Sequence, residues 1–281
     1  MSEHSDANQP SQTDLTARRN TLSAAKKAWL EKRIRGETAS LSQVKTIARL
    51  DSYTNVPLSY AQERLWFLCQ LDPATSNAYT VPFAVQLDGP LDATILQQAL
   101  QQVVDRHASL RTTFHVHAGV PVQHVAPTLA LDLPVRDLPA ATDAAGIAAQ
   151  LAALVSAPFD LADGPLIRAS LLRLSPTTHV LLVTCHHIIT DGWSVGVFLR
   201  DFAAALIALR TGSAPDLPPL TVQYPDVAVW QRQVLQGAYL ATLQTYWRTQ
   251  LADTAPLALP TDFPRPAVQA FAGATLPLPV P

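Results

Sequence analysis

Cysteine is scarce in this sequence, since the 281 residues include only Cys69 and Cys185. Two cysteines exclude a disulfide-stapled scaffold and a multi-cysteine zinc site, and we expect a reducing, cytoplasmic setting. The first residues lack the apolar core of a secretory signal. No run of about 18 apolar residues is free of charge, so we expect no membrane span. A glycine-rich phosphate-binding loop is also missing.

Lysine is missing from most of the chain, because all four lysines lie among the first 50 residues. Residues 1–50 hold nine Lys or Arg and five Asp or Glu, whereas residues 51–281 hold eleven Arg and seventeen Asp or Glu. We therefore predict a basic, partly disordered head and linker over 1–50, with a short helix over 23–35. That helix is either a surface helix or a docking element for an upstream protein. The overall net charge of −2 argues against nucleic acid as a partner.

Hydrophobic residues make up 48% of the chain and charged residues 15%, so we expect a sizeable core. Apolar periodicity predicts helices and strands in mixed order. The predicted helices cover 60–71, a segment after Asp92, 144–155, 194–210 and a long stretch at about 226–251, and the predicted strands cover 81–87, 110–117, 120–125, 166–174 and 179–185. A tight turn at 118–119 joins two of these strands. Because no strict βαβ repeat is present, we predict an α/β (α+β) two-layer sandwich.

The most informative segment is residues 179–194. Its continuous apolar run at 180–183 predicts a strand buried on both faces, and this strand ends in His186 and His187. Histidine suits proton transfer near neutral pH. Because neighbouring residues of a strand point in opposite directions, we expect one of the two histidines to be structural.

A polar turn follows the two histidines. Asp191 lies close enough to His187 to organise the same loop, and Gly192 permits a close backbone approach. We expect Ser194 to cap the next helix. Three other interpretations stay open: a metal site formed by the histidines and Asp191, although no third ligand has the usual spacing; a nucleophilic Cys185; and a buried histidine pair without function.

Residues 186–192 (HHIITDG) match the HHxxxDG motif of the condensation domains of nonribosomal peptide synthetases. Three further segments match that family's motifs in the family's order. Residues 58–68 (LSYAQERLWFL) resemble SxAQxRLWxL, residues 106–114 (RHASLRTTF) resemble RHxxLRTxF, and residues 224–230 (YPDVAVW) resemble YxDYAxW with Val227 in place of the usual tyrosine. Four ordered motifs are far more specific than one, and the resemblance covers residues 57–275.

The resemblance implies a chloramphenicol-acetyltransferase-like fold, in which two lobes form a V around a tunnel. Residues 51–235 would form the N-terminal lobe, and residues 236–281 the start of a truncated second lobe. Such domains are acyltransferases that form an amide bond between a donor thioester and the amine of an acceptor aminoacyl thioester. Both substrates are carried on the phosphopantetheine of upstream and downstream carrier proteins, so the chain itself would bind no cofactor and no metal.

The resemblance also implies further partners and roles for individual residues. An adenylation domain would lie next to this domain in the parent synthetase, and residues 1–45 would meet an upstream synthetase subunit. The catalytic residue would be His187, which either accepts the proton of the attacking amine or orients that amine and steadies the tetrahedral intermediate. Asp191 would be structural and paired with Arg106. Gly192 would line the tunnel.

Other residues of the motifs resemble scaffold or tunnel residues: His186, Arg111, Trp193, Ser194 and Trp230. The sequence of Trp193 and Ser194 after the motif resembles the subtype that joins an L-configured donor to an L-configured acceptor. Because most of the second lobe is missing, we expect little turnover by the isolated chain. Two alternatives remain: a freestanding acyltransferase of the same superfamily, and a non-catalytic docking or recruitment module.

Overall fold

The computed structural model describes residues 46–72, 74–139, 141–264 and 273. The helix predicted over 23–35 and the predicted contact through residues 1–45 lie outside the described residues. The strands of the described part are β1 (Val56–Pro57), β2 (Thr80–Asp88), β3 (Thr112–His117), β4 (Val120–Val125), β5 (Val135–Asp137), β6 (Ile167–Ser175) and β7 (Thr178–His186). The α-helices are α1 (Tyr60–Leu71), α2 (Ala74–Ala78), α3 (Ala93–Arg106), α4 (Ala144–Val155), α5 (Gly192–Thr211), α6 (Tyr224–Val234) and α7 (Gly237–Gln250).

Two sheets organise the described residues. The larger has the strand order β2-β7-β6-β5, in which β7 pairs antiparallel with both neighbours and β5 pairs parallel with β6. The smaller has the order β1-β4-β3 and is antiparallel. In the larger sheet Thr80 lies opposite His186, so the start of β2 meets the end of β7. This register brings the chain before β2 next to the two histidines.

The central strand β7 is buried along most of its length, as predicted from its apolar run. Leu181, Val183 and Cys185 belong to one buried cluster with residues of α3 and α5. The ring of Phe83 in β2 packs edge-on against Phe198 of α5, with ring centroids 5.3 Å apart. The mixed architecture predicted from the sequence is therefore confirmed, with helices packed on a largely antiparallel sheet.

Local signals placed most elements correctly, and the β3–β4 hairpin is one example. Ala118 and Gly119 both have positive φ, 51° and 79°, as a two-residue turn between twisted strands requires. Several predicted boundaries were wrong, including the start of β3 and the course of the long helix. Leu110 belongs to a 3-10 helix (Ala108–Arg111) rather than to β3. The long helical stretch is broken at Leu235 and Gln236, where Gln236 has an extended backbone with φ −148° and ψ 169°.

Helix α5 begins at the site and packs one of its faces into the core. By length and composition alone it is apolar enough to cross a membrane, with a mean hydropathy of 1.5. Its buried side chains include Phe198, Phe202 and Ala205, which lie in the same cluster as those of the sheet. It also carries Asp201, a fully buried carboxylate with cationic partners. One face of α5 therefore packs into the core, although only 28% of its apolar 18-residue stretch is buried.

Candidate active site

The end of β7 separates the two histidines. The side chain of His186 is fully buried and that of His187 is exposed, as expected for neighbours that leave a strand in opposite directions. The backbone N–H of His186 donates to the carbonyl of Leu166 at 3.0 Å, and that of His187 donates to the carbonyl of Tyr79 at 2.7 Å. Both histidines therefore have a fixed backbone position.

The imidazole of His187 is held by its own loop. Its Nδ1 lies 2.8 Å from the carbonyl oxygen of Thr190. Because a carbonyl oxygen can only accept, Nδ1 carries the proton, and Nε2 of the neutral ring is left as the acceptor. The turn from His187 to Thr190 thus presents a lone pair on an exposed ring, which is the arrangement needed for accepting a proton or a hydrogen bond from a substrate.

The imidazole of His186 has a different environment. Its Nδ1 accepts the backbone N–H of Ile188 at 3.1 Å, and its Nε2 lies 3.7 Å from the sulfur of Cys69. The rings of Tyr79 and Phe159 lie about it, with centroids 6.3 and 6.2 Å away. Burial, together with the nearby His187, lowers the pKa of His186 to about 4. This ring is therefore neutral at physiological pH and serves the fold of the loop.

Helix α1 reaches the same turn through Gln62. Its side-chain nitrogen lies 3.5 Å from the carbonyl oxygen of Ile188, while its side-chain oxygen accepts the backbone N–H of Ser59 at 3.0 Å. Ser59 in turn accepts the backbone N–H of Gln62, which completes a capping box at the start of α1. The segment 58–68 thus lies directly against the histidine turn.

Asp191 caps helix α5. Its carboxylate accepts hydrogen bonds from the backbone N–H of Ser194 at 2.8 Å and from the Ser194 hydroxyl at 2.6 Å. These bonds lower the pKa of the Asp191 carboxyl. The prediction that Ser194 is the cap was wrong, because the helix begins at Gly192 and the Asp191 side chain reaches the first free N–H groups.

The predicted pairing of Asp191 with Arg106 was also wrong. The Nε of Arg106 lies 2.9 Å from the carboxylate of Asp201, further along α5, and His107 Nε2 lies 2.8 Å from the same oxygen. Arg200 contacts the other carboxylate oxygen at 2.8 Å. The buried Asp201 needs cationic partners, whereas the exposed Asp191 is satisfied by the start of its own helix.

Hydrogen bonding determines the charge state of Asp201. Burial by itself would raise the pKa of this carboxyl, but hydrogen bonds from Arg200, His107 and Arg106 outweigh it, and the pKa is lowered. The carboxylate therefore stays ionised and joins α3 to α5 below the histidine turn. Segment 106–114 thus supports the site through Arg106 and His107, and Leu110 of the same segment lines a cavity next to Thr190.

The family model described as Condensation domain matches residues 52–279 of the chain. The chain belongs to the condensation-domain family. Three curated relatives are chondramide synthase cmdD of Chondromyces crocatus (47% identical over 78% of this chain), a linear gramicidin synthase of Brevibacillus parabrevis (44% over 85%) and phosphinothricin tripeptide synthetase PhsC of Streptomyces viridochromogenes (41% over 93%). The chain spans only 6%, 3% and 24% of their respective lengths.

Solved structures of the same kind have a similar fold. The X-domain from teicoplanin biosynthesis superposes with a TM-score of 0.69 at 34% identity, over 80% of this chain and 49% of that one. The starter condensation domain of rhizomide synthetase RzmA superposes with a TM-score of 0.65 at 28% identity, over 72% of this chain and 49% of that one. The chain thus spans about half the length of these structures.

Three other residues of the condensation-domain motifs, Arg111, Trp230 and Gly192, lie in different surroundings. The guanidinium of Arg111 donates to four backbone carbonyls, those of Val104, Asp105, Ala126 and Pro127, so it joins the end of α3 to the chain after β4. Trp230 lies half-buried in α6. Gly192 is the first residue of α5, and a Cβ placed there would meet no described atom within 4 Å. Its predicted role as a tunnel residue therefore depends on contacts beyond those of the described residues.

An apolar surface lies beside the condensation-domain histidine. The side chain of Trp193 is 85% exposed. It borders a cavity of about 120 Å³ that Thr190 also lines, with apolar walls formed by Phe83, Leu110, Ile189, Trp193, Val197 and Phe198. Among the described residues, no group of three or more His, Cys, Asp or Glu side chains is placed to hold a metal ion. The Cys185 thiol is buried, and burial raises its pKa to about 12.

Sequence reasoning missed two neighbours of the condensation-domain histidines. Tyr79 lies just before β2, where its carbonyl holds His187 and its ring approaches both imidazoles at centroid distances of 6.3 and 6.4 Å. Cys69 falls within the helix predicted over 60–71, and the sequence indicates no contact between it and the histidines. Neither contact has a local signal, because each depends on the register between distant elements.

Proposed function

We propose that this chain supplies the histidine-bearing half of a condensation domain that forms peptide bonds. In the proposed reaction, the acyl or peptidyl group of a donor thioester is transferred to the amine of an acceptor aminoacyl thioester. The observation that supports this proposal best is the His187 imidazole, which is exposed and has its proton fixed on Nδ1 by the Thr190 carbonyl. A lone pair presented in this way suits an amine nucleophile.

The proposed chemistry needs one bond to form and one to break. The acceptor nitrogen attacks the thioester carbonyl carbon, and the resulting tetrahedral intermediate expels the donor thiolate. The amine loses one proton, which Nε2 of His187 accepts and which the departing sulfur takes up as a thiol. If His187 instead orients the amine and steadies the intermediate, the same Nε2 lone pair makes the contact. Both thioesters are carried by phosphopantetheine arms of upstream and downstream carrier domains.

We further propose that residues 51–235 form the N-terminal lobe and residues 236–281 begin the second lobe. His187 and Trp193 are both open to solvent in this chain. Amide formation competes with hydrolysis of the thioester, so an active site of this kind has to exclude water. We therefore expect the isolated chain to give little turnover and a complete two-lobe domain to be active.

The predicted partners and subtype are part of the same proposal. The basic segment 1–45 would dock an acidic tail of an upstream subunit, and an adjacent adenylation domain would load the acceptor carrier. The residues Trp193 and Ser194 after the Asp191 cap favour an L-configured donor and an L-configured acceptor. The two configurations can be compared directly by loading the donor carrier with an L- or a D-aminoacyl group.

The experiment uses a two-lobe domain completed from the parent gene or from a relative's second half, together with two separately loaded carrier proteins. Mass spectrometry of the acceptor carrier should show an amide-linked dipeptidyl thioester, formed faster from the L-donor. His187→Ala should slow its formation by about 10²–10⁴-fold, and deletion of 1–45 should reduce acceptance of the upstream carrier. Hydrolysis of the donor without amide would refute the proposal. Transfer to a soluble amine from a coenzyme A thioester alone would instead indicate a freestanding acyltransferase.

A further inference from the structure

We propose that Cys69 is a positioning residue for His187, acting through the buried ring of His186. This inference rests on the proposed role of His187 in amide formation. Cys69 directly follows the segment 58–68 and lies on the buried face of α1 with Gln62 and Leu65. Its sulfur is 3.7 Å from Nε2 of His186.

The other hydrogen bond of His186 determines which atom is the donor in its contact with Cys69. Nδ1 lies 3.1 Å from the backbone nitrogen of Ile188, and a backbone N–H can only donate. Nδ1 is therefore the acceptor, and the proton of the neutral ring is on Nε2. The Nε2–H then points to the Cys69 sulfur, which accepts it. Sulfur is a weak acceptor, but in a fully buried site an N–H without any partner would be costly.

The contact extends to the turn that carries His187. With Nε2–H bound to sulfur, Nδ1 of His186 is free to hold the Ile188 N–H, and Gln62 lies 3.5 Å from the Ile188 carbonyl. Both polar groups of the residue after His187 are thus held by side chains that α1 supports. The opposite tautomer of His186 would place a proton on Nδ1 against the Ile188 N–H and would release the turn.

This arrangement predicts different results for two substitutions at one position. Cys69→Val keeps an apolar side chain of similar size but removes the acceptor, so the buried Nε2–H loses its partner. Cys69→Ser keeps an acceptor in the form of a hydroxyl. Leu65→Ala is the matched control, because it opens a cavity on the same face of α1 without touching the polar contact. If Cys69 only filled space, Cys69→Val would stay close to the wild type because it keeps the volume, whereas Leu65→Ala would still open a cavity.

The test is NMR of the ¹⁵N-histidine-labelled 281-residue chain, together with amide hydrogen exchange. In the wild type, His186 should carry its proton on Nε2 and His187 on Nδ1. In Cys69→Val, the Nδ1-protonated form of His186 should increase and the Ile188 amide should exchange about threefold to tenfold faster, which is the loss expected for one buried hydrogen bond. Cys69→Ser should remain within about twofold of the wild type, on the same reasoning.

Several results would overturn the proposal. One is the finding that His186 of the wild type carries its proton on Nδ1, a measurement that needs no variant. The others are unchanged Ile188 exchange in Cys69→Val, or equal acceleration in Leu65→Ala. In a complete two-lobe domain, Cys69→Val should lower kcat about threefold to tenfold without changing KM, and Cys69→Ser should restore it. If His187→Ala left amide formation intact, the proposed function would fail, whereas the NMR result would still stand or fall by itself.

Discussion

Replacing Asp201 with asparagine tests whether the ion pair between Arg106 and Asp201 stabilises the fold. The Asp201 side chain is fully buried and accepts hydrogen bonds from Arg106 at 2.9 Å and from His107 at 2.8 Å. It connects α3 to α5, the helix that Asp191 caps beside the site. The substitution keeps the size of the side chain and one acceptor oxygen but removes the charge.

The expected loss of stability depends on how deeply each cationic partner of Asp201 is buried. Removing one member of a buried ion pair costs about 3–5 kcal/mol in general. The ion pair with Arg200 contributes little to stability, because the Arg200 side chain is 61% exposed and its charge is screened by water. Arg106 and His107 are mostly buried, at 17% and 18% exposure. Since asparagine retains part of the hydrogen bonding, we expect the free energy of unfolding to fall by about 2–4 kcal/mol.

The assay is equilibrium urea unfolding of the 281-residue chain, followed by tryptophan fluorescence at several pH values. The pKa of Asp201 is lowered in the folded state, so its stabilisation is fully present above the unfolded pKa of about 3.9 and is lost as the pH falls through the folded pKa. The difference in the free energy of unfolding between wild type and Asp201→Asn should therefore reach its full size at pH 7 and should shrink below about pH 4.

Asp191→Asn is the matched control, since it removes the same charge ten residues earlier in the chain. Asparagine is a good helix cap and Asp191 is exposed, so the change should cost less than about 1 kcal/mol. The reasoning would be refuted if Asp201→Asn were within about 0.5 kcal/mol of the wild type, which is the size of an ordinary surface substitution. It would equally be refuted if Asp191→Asn were the more damaging change.

Three further predictions concern other parts of the chain. Asp226→Asn should lower stability by about 2 kcal/mol in thermal unfolding, because the buried carboxylate accepts from the backbone of Leu50 and Gln223 and from the Tyr53 hydroxyl. Gly119→Ala should cost about 1 kcal/mol in urea unfolding, since φ is 79° in an otherwise open turn. Cys185 should resist iodoacetamide at pH 8 in the folded chain and react after unfolding, because burial raises its pKa to about 12; rapid modification in the native state would contradict this.

The sequence predicted those features that depend on local patterns. The strand ending at His186 follows from a short apolar run, and the turn at Ala118 and Gly119 follows from its neighbouring strands. The partner of Arg106 could not be predicted, because it depends on how α3 crosses α5 and places Asp201 rather than Asp191 nearby. The role of Tyr79 depends likewise on the register in which β2 pairs with β7.

The four family motifs likewise do not reveal which of their residues contact one another. Their order along the chain indicates the family, but it does not say which motif residues touch. In the structure, the segment 58–68 contacts the histidine turn through Gln62, whereas the segment 106–114 supports α5 from below through Arg106. Pairings of this kind are set by tertiary packing of helices on a sheet, for which a single sequence carries no direct signal.

The central claim is that the exposed imidazole of His187 takes part in amide formation. The most direct measurement is the single-turnover rate of transfer between two loaded carriers by a complete two-lobe domain, for the wild type and for His187→Ala. We predict a loss of about 10²–10⁴-fold, the range for removal of a general acid–base group, with the variant still folded by circular dichroism. Equal rates for the two proteins would contradict the account.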